Sequence, residues 1–226
     1  MSIEIYKPES APVIRGVLFD MDGLVLDTEK LYSRFWMEAC HHFGFPMTYE
    51  QSLKMRAANS HVGAENLRHF FGPSADYAAI RAKRVELMDA FIAAYGVEPK
   101  PGIFELMDFL EAQSIPAAIT SSSPADRIRE HLSSLGLYHR FTAICSGYDV
   151  PQSKPAPDIY LHGAASLGLH PENCLALEDA PLGIESAFRA GCIPVLVPDQ
   201  DQPDVKTRAM LYAKADSLSD IIQILK

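Results

Sequence analysis

Four apolar runs of strand length in this sequence are followed by carboxylate, hydroxyl or amine side chains. These side chains are Asp20 and Asp22, Thr120 to Ser123, Lys154, and the pair Glu178 and Asp179. Carboxylates that converge repel one another unless a cation lies among them, and Mg²⁺ prefers oxygen ligands. Hydroxyl groups, backbone amides and an ammonium group would hold the oxygens of a phosphate. The residue types therefore point to magnesium-assisted transfer of a phosphoryl group.

Two of the carboxylates have candidate roles in such a transfer. A carboxylate can attack phosphorus and form an aspartyl phosphate, and Asp20 is our candidate for that nucleophile. The reaction then needs a group that protonates the leaving oxygen and afterwards activates water. Asp22 follows two residues later and is the candidate for this acid and base. The hydroxyl of Thr120, the amides after it and the ammonium group of Lys154 are candidates for holding the phosphate.

Each of these residues also has a purely structural explanation. An Asp-x-Asp-Gly sequence after a strand is often only a turn with side-chain hydrogen bonds. Lys154 precedes Pro155 and could be a solvated loop residue, and Ser123 could cap a helix that begins after Pro124. Capping of the next helix would explain one acid of the Glu178 and Asp179 pair, but not both. The appearance of all four groups at strand ends favours the catalytic interpretation.

The elements that must position these groups follow from the hydrophobic pattern. Strand-length apolar runs occur at 13–19, 116–120, 141–145, 174–177 and 193–197. Each is followed by a loop and a stretch with helical periodicity, which is typical of α/β proteins. We therefore predict a doubly wound, Rossmann-like parallel sheet with helices on both faces. The carboxyl ends of its strands meet at one edge, which would gather the four groups in one place.

A segment after the first strand has a different pattern. Between Leu31 and Glu98 it is rich in helix-forming residues and shows no convincing strand, with breaks at Gly44, Gly63 and Gly72. We predict an inserted helical domain over 28–98, and an α/β core made of 1–27 and 99–226. Because two connectors would join the parts, the insertion could act as a hinged cap.

Composition excludes several other classes of protein. The chain has 226 residues and a formal net charge of -9, without a basic cluster that would suit nucleic acid or an anionic membrane. Its four cysteines are far apart, which indicates neither a zinc site nor a disulfide framework. No signal peptide and no apolar run long enough to span a bilayer is found. We expect a cytoplasmic protein, monomeric by default, that acts on a small metabolite.

Four ordered motifs resemble the haloacid dehalogenase superfamily. They are FDMDGLVLDTE at 19–29, AITSSS at 118–123, SKPAPDIY at 153–160, and ALEDAPLGIESAFRAG at 176–191. The resemblance is to the branch with a helical cap inserted after the first strand. This branch includes beta-phosphoglucomutase and the phosphatases of sugar phosphates and pseudouridine phosphate.

The resemblance implies a role for each matching residue. Asp20 would be the nucleophile and a magnesium ligand, and Asp22 would be the general acid and base and would also bind the metal through its carbonyl. Asp179 and Glu178 would complete the metal site. Glu178 would either bind the metal itself or contact a group that binds it. The phosphate-binding residues would be Thr120, Ser121 and Lys154. In the cap, a loop near 54–63 would face the substrate, with Arg56, Asn59 and His61 as candidates.

The function implied is a Mg²⁺-dependent phosphatase of a sugar phosphate or nucleoside phosphate. A phosphomutase of the beta-phosphoglucomutase type uses the same core, so the sequence leaves that alternative open. Asp22 and the Glu178 and Asp179 pair argue against the halide-releasing members of the superfamily. A phospho-accepting signalling module is a single sheet domain and would not carry the inserted helical segment.

Overall fold

The computed structural model describes residues 3–7, 12–56, 60–198 and 203–226. The chain divides into two compact units, one formed by Met1–Leu26 with Pro99–Lys226 and the other by Asp27–Glu98. The second unit thus begins one residue before the predicted range of 28–98.

The first unit contains a seven-stranded sheet in the order β1-β7-β6-β5-β2-β3-β4. Its strands are β1 Ile3–Ile5, β2 Gly16–Phe19, β3 Ala117–Ser121, β4 Ala143–Ser146, β5 Cys174–Glu178, β6 Ile193–Leu196 and β7 Ala213–Ala215. Strands β2 to β7 run parallel, which confirms the predicted doubly wound α/β fold. The sequence analysis missed β1 and β7, since each has only three residues, and it did not foresee that β1 pairs antiparallel at the edge.

The regular elements described in the second unit are all helices. They are α1 Glu29–His42, α2 Tyr49–Arg56, α3 Ser60–Phe71 and α4 Tyr77–Tyr95. Gly44 and Gly72 follow helix ends and have φ +81° and +84°. Glycine with a positive φ commonly ends a helix, so the breaks predicted at these two positions are confirmed. The break predicted at Gly63 is wrong, because this glycine lies within α3. A Cβ atom there would come within 2.6 Å of the Tyr77 ring, so the glycine serves close packing instead.

Six α-helices are found in the described part of the first unit. They are α5 Ile103–Ala112, α6 Ala125–Ser134, α7 Asp158–Ser166, α8 Pro181–Arg189, α9 Val205–Met210 and α10 Ile222–Leu225. The central strands β2 and β5 are buried along their whole length. Helices on both faces of the sheet explain why these strands are continuously apolar instead of alternating. Among the described helices, none is both long enough and apolar enough to cross a bilayer.

Candidate active site

A tight turn at the carboxyl end of β2 places Asp20 at the edge of the sheet. The Asp20 amide still donates to the Leu177 carbonyl at 3.0 Å, so strand pairing holds its backbone. The chain then reverses, and the Gly23 amide donates to the Leu26 carbonyl at 2.9 Å. Gly23 has φ +85°, a conformation that strains residues with a Cβ atom. Sheet and turn together fix Asp20, which is 8% exposed.

Lys154 reaches this edge from the loop between β4 and α7. Its Nζ atom lies 2.6 Å from Asp20 Oδ1 and 2.7 Å from Glu178 Oε1. The Lys154 side chain is only 10% exposed, so the solvated-loop interpretation is wrong. Buried charges are stable only when they are paired, and this ammonium group has two carboxylate partners.

Glu178 is the last residue of β5 and is 2% exposed. The hydroxyl group of Tyr160 donates to Glu178 Oε1, the same oxygen atom that contacts Lys154. The Lys154 Nζ atom also lies 5.2 Å from the centroid of the Tyr160 ring. The carboxylate also packs against the first turn of α8, where a Cβ atom on Gly183 would lie 1.9 Å from Glu178 Cδ. Glu178 is therefore enclosed by three different segments of the chain.

The contact with Gly183 gives a first prediction. In Gly183→Ala the new methyl group would occupy the place of the Glu178 carboxylate, so we expect that side chain to move. A displacement of about 1 Å in a reacting site can lower kcat/KM roughly 100-fold, and this loss should be seen in steady-state kinetics. Leu182→Ala is the matched control, because Leu182 lies on the same turn but is 37% exposed. Equal activity of the two variants would contradict the prediction.

The acidic residues form a cluster that could hold a cation. Asp20, Glu178 and Asp179 each offer a carboxylate oxygen atom, and these atoms all lie within 4.8 Å of one another. Three carboxylates at this distance carry more negative charge than Lys154 neutralises. Hard oxygen donors at the end of a parallel sheet suit Mg²⁺. The donor set therefore fits the magnesium ion that the sequence motifs imply.

Burial is the largest influence on the pKa values of Asp20 and Lys154. Burial raises the pKa of Asp20 to about 8, which Lys154 opposes and Glu178 promotes. For Lys154, burial lowers the pKa, but the carboxylates of Asp20 and Glu178 outweigh this effect and raise it. The ion pair favours a charged Lys154, and burial makes the carboxylate form of Asp20 depend on positive charge beside it.

Neighbouring residues Thr120 and Ser121 at the end of β3 use their hydroxyl groups differently. Thr120 is fully buried and its Oγ1 atom donates to the Phe19 carbonyl at 3.1 Å. The Ser121 Oγ atom accepts from the Ser123 amide at 3.1 Å and keeps its own proton for another acceptor. The contact of both hydroxyl groups with a phosphate stays a prediction.

Asp22 is held by a serine network. Ser123 Oγ donates to Asp22 Oδ2 at 3.0 Å, and Ser146 Oγ donates to the Ser123 carbonyl at 2.8 Å. The helix-cap interpretation of Ser123 is wrong, because the N-cap of α6 is Pro124 and has no side-chain cap. The sequence analysis missed Ser146, although it follows an apolar run just as the other candidates do. It also missed Tyr160, which closes the third quoted motif.

The three candidates from the helical segment belong to the Asp27–Glu98 unit. Arg56 is the last residue of α2, and Asn59 lies outside the described residues. His61 is in the first turn of α3, where its side chain is 81% exposed and its Nδ1 atom lies 3.7 Å from Glu65 Oε2. Their proposed contact with substrate stays a prediction.

The buried acids and the lysine lie at the carboxyl edge of a doubly wound α/β sheet. This places the chain among the α/β proteins that bind ligands at that edge, with acids that suit a cation and a lysine that suits an anion. Residues 17–197 match the family of haloacid dehalogenase-like hydrolases. The chain belongs to this family, and its resemblance to the superfamily is confirmed.

Comparison with individual proteins gives a consistent result. The chain is 30% identical over 178 residues to fructose-1-phosphate phosphatase YqaB of Escherichia coli, with 78% of this chain and 92% of that protein covered. It is 29% identical over 199 residues to beta-phosphoglucomutase of Bacillus subtilis, covering 84% and 85%. A crystal structure of CbbY from Rhodobacter sphaeroides in complex with xylulose-(1,5)bisphosphate superimposes with a TM-score of 0.74 at 26% identity, covering 92% and 96%.

Proposed function

We propose that this protein is a Mg²⁺-dependent phosphatase of small phosphorylated metabolites that works through an aspartyl phosphate on Asp20. The observation that carries the proposal is the contact of Lys154 Nζ with Asp20 Oδ1 at 2.6 Å, within a cluster of carboxylates. This arrangement supplies a nucleophile, a fixed positive charge and donors for a cation in one place. Similarity to a fructose-1-phosphate phosphatase and to a CbbY structure with a bound sugar bisphosphate supports the substrate class.

The proposed reaction has two steps. In the first, a carboxylate oxygen of Asp20 bonds to phosphorus while the bond to the leaving oxygen breaks, and Asp22 gives that oxygen a proton. In the second, Asp22 takes a proton from water as the water attacks phosphorus, which releases phosphate and restores Asp20. Ser123 would keep the Asp22 carboxylate in place through its hydrogen bond of 3.0 Å.

The remaining residues of the site would bind and neutralise the phosphoryl group. The ammonium group of Lys154 and the hydroxyl groups of Thr120 and Ser121 would hold its oxygens, where negative charge develops during transfer. Asp20, Asp179 and Glu178 would hold Mg²⁺, with the carbonyl of Asp22. When bound, the ion would neutralise charge that otherwise keeps the phosphate away from the carboxylate of Asp20.

The choice of substrate would belong to the helical unit. On the resemblance to capped members of the superfamily, we assign contact with the leaving group to Arg56, Asn59 and His61. The metabolite would be a sugar phosphate or a nucleoside phosphate in the cytoplasm, without nucleic acid or membrane as partner, and the protein would act as a monomer.

The test is the initial rate of phosphate release from a panel of sugar phosphates, nucleotides and pseudouridine 5′-phosphate. We expect release from one class of substrate only. Chelation by EDTA should stop it, and excess Mg²⁺ should restore it, because the acidic cluster needs a cation. Release that persists after chelation and dialysis would contradict the proposed metal dependence.

The panel also includes β-glucose 1-phosphate with its bisphosphate activator, because similarity to a beta-phosphoglucomutase favours the mutase as second candidate. In that case the phosphoryl group on Asp20 would return to a sugar and not pass to water. Formation of glucose 6-phosphate without free phosphate would identify a mutase and overturn the phosphatase proposal.

A further inference from the structure

Tyr160 is a buried residue beside the acidic cluster that has no role in the reaction described above. It lies on α7 and is 0% exposed. Its hydroxyl group donates to Glu178 Oε1, and its ring lies under the Lys154 Nζ atom at 5.2 Å. One side chain therefore contacts both a candidate metal ligand and the cation that pairs with the nucleophile.

Close packing of α7 against the sheet fixes the Tyr160 ring. Gly163 is one helical turn further on, and a Cβ atom there would lie 2.6 Å from Thr120 Cγ2. Because residue 163 has no side chain, α7 lies close to β3. This close packing places Tyr160, on α7, beneath the end of β5. Burial, followed by the negative charge of Glu178, raises the pKa of Tyr160, so its hydroxyl group keeps its proton and remains a donor.

The two oxygen atoms of Glu178 are consequently in different situations. Lys154 and Tyr160 both donate to Oε1, at 2.7 Å for Lys154. Two fixed donors on one carboxylate oxygen stop the group from rotating and leave the lone pairs of the second oxygen for another partner. A cation suits that position, because the Glu178 carboxylate has an oxygen atom within 4.8 Å of carboxylate oxygens of Asp20 and Asp179.

We propose that Tyr160 is a positioning residue for the metal site, whose hydroxyl group anchors Glu178 Oε1 together with Lys154 and thereby sets the affinity for Mg²⁺. The proposal rests on the proposed magnesium-dependent function. Partners that orient a metal ligand in this way typically contribute a factor of about 10 to 100 in metal affinity. Tyr160 would act only through Glu178 and Lys154, without contact to the substrate.

The test is Tyr160→Phe, with Mg²⁺ binding measured by titration calorimetry in the absence of substrate. Phenylalanine fills the same space, so the variant should fold, and only the donor to Glu178 is removed. We expect the Kd for Mg²⁺ to rise about tenfold at unchanged stoichiometry. The Mg²⁺ concentration for half-maximal activity should rise in parallel. Tyr148→Phe is the control, because the Tyr148 side chain is 75% exposed, and it should bind Mg²⁺ as the unsubstituted protein does.

A merely structural role of Tyr160 would give a different result. Partial misfolding lowers the number of sites and the maximal rate but leaves the Kd of the remaining sites unchanged. An unchanged Kd in Tyr160→Phe would therefore overturn the proposal, whatever the activity. A second measurement is the rise in Tm on addition of Mg²⁺, which should be smaller in Tyr160→Phe because weaker binding stabilises less.

The outcome also separates this inference from the proposed function. If the unsubstituted protein binds Mg²⁺ and Tyr160→Phe binds it equally well, only the role of Tyr160 fails. If the unsubstituted protein binds no Mg²⁺, the metal-dependent function fails and the role of Tyr160 with it.

Discussion

Phosphate release from the best substrate is expected to fall roughly 10⁴-fold or more when Asp20 is replaced by Asn. The amide of Asn is a poor nucleophile, so the aspartyl phosphate would not form. The substitution also removes one carboxylate from the cluster that would hold Mg²⁺. The measurement is kcat under saturating substrate and Mg²⁺, with circular dichroism to show that the fold is intact.

Asp126→Asn is the matched control for Asp20→Asn. Asp126 is an exposed acid in the first turn of α6, and the same change of charge there should leave kcat within about twofold of the unsubstituted protein. Ordinary metal-dependent turnover by Asp20→Asn, with a mass spectrum showing no deamidation back to Asp, would refute the proposed mechanism.

Lys154→Met is expected to have the second largest effect. Methionine has a similar length but no charge, so it removes the ammonium group that lies between Asp20 and Glu178. Loss of one preorganised group that stabilises transition-state charge lowers kcat by roughly 10² to 10³. Removal of one partner from a buried ion pair can also lower the free energy of unfolding by up to about 5 kcal/mol.

The stability loss in Lys154→Met should depend on Mg²⁺. Without the metal, Asp20 and Glu178 would face each other without compensation, whereas bound Mg²⁺ would restore positive charge to the cluster. Chemical denaturation with and without Mg²⁺ should therefore show a larger stabilisation by the ion in Lys154→Met than in the unsubstituted protein. The same stabilisation in both proteins would argue against a common site for Lys154 and the ion.

Lys206→Met is the control for Lys154→Met. Lys206 also pairs with a carboxylate, at 2.9 Å from Glu185 Oε2, but its side chain is 71% exposed. Exposed ion pairs contribute little because water screens them, so stability and kcat should change only slightly. A comparable loss in both variants would mean that burial of the ion pair is not what makes Lys154 important.

Much of the fold could be predicted from the sequence because the central strands are continuous apolar runs. Strands β2, β3, β5 and β6 are buried along their whole length, and that environment admits few polar residues. Strands β1 and β7, at one end of the sheet, lack this signal. They have three residues each, and their pairing depends on backbone hydrogen bonds such as Tyr6 amide to Tyr212 carbonyl at 2.8 Å.

The sequence by itself determined the family and the candidate residues of the site. Asp20 and Lys154 follow parallel strands and Glu178 ends one, and the carboxyl ends of parallel strands meet at a common edge of the sheet. Their contacts at 2.6 and 2.7 Å are what that rule leads one to expect. Position along the chain was sufficient here, because the backbone alone carries these residues to the same place.

Only the tertiary structure decided which hydrogen-bond partners these side chains have. Thr120 and Ser121 are neighbours in the sequence, but the Thr120 hydroxyl group donates to the Phe19 carbonyl, whereas the Ser121 hydroxyl group accepts from the Ser123 amide. Tyr160 likewise reads as an ordinary core aromatic until α7 places its hydroxyl group against Glu178. A hydrogen bond depends on distance and direction between atoms of separate elements, and hydrophobic patterns do not contain that information.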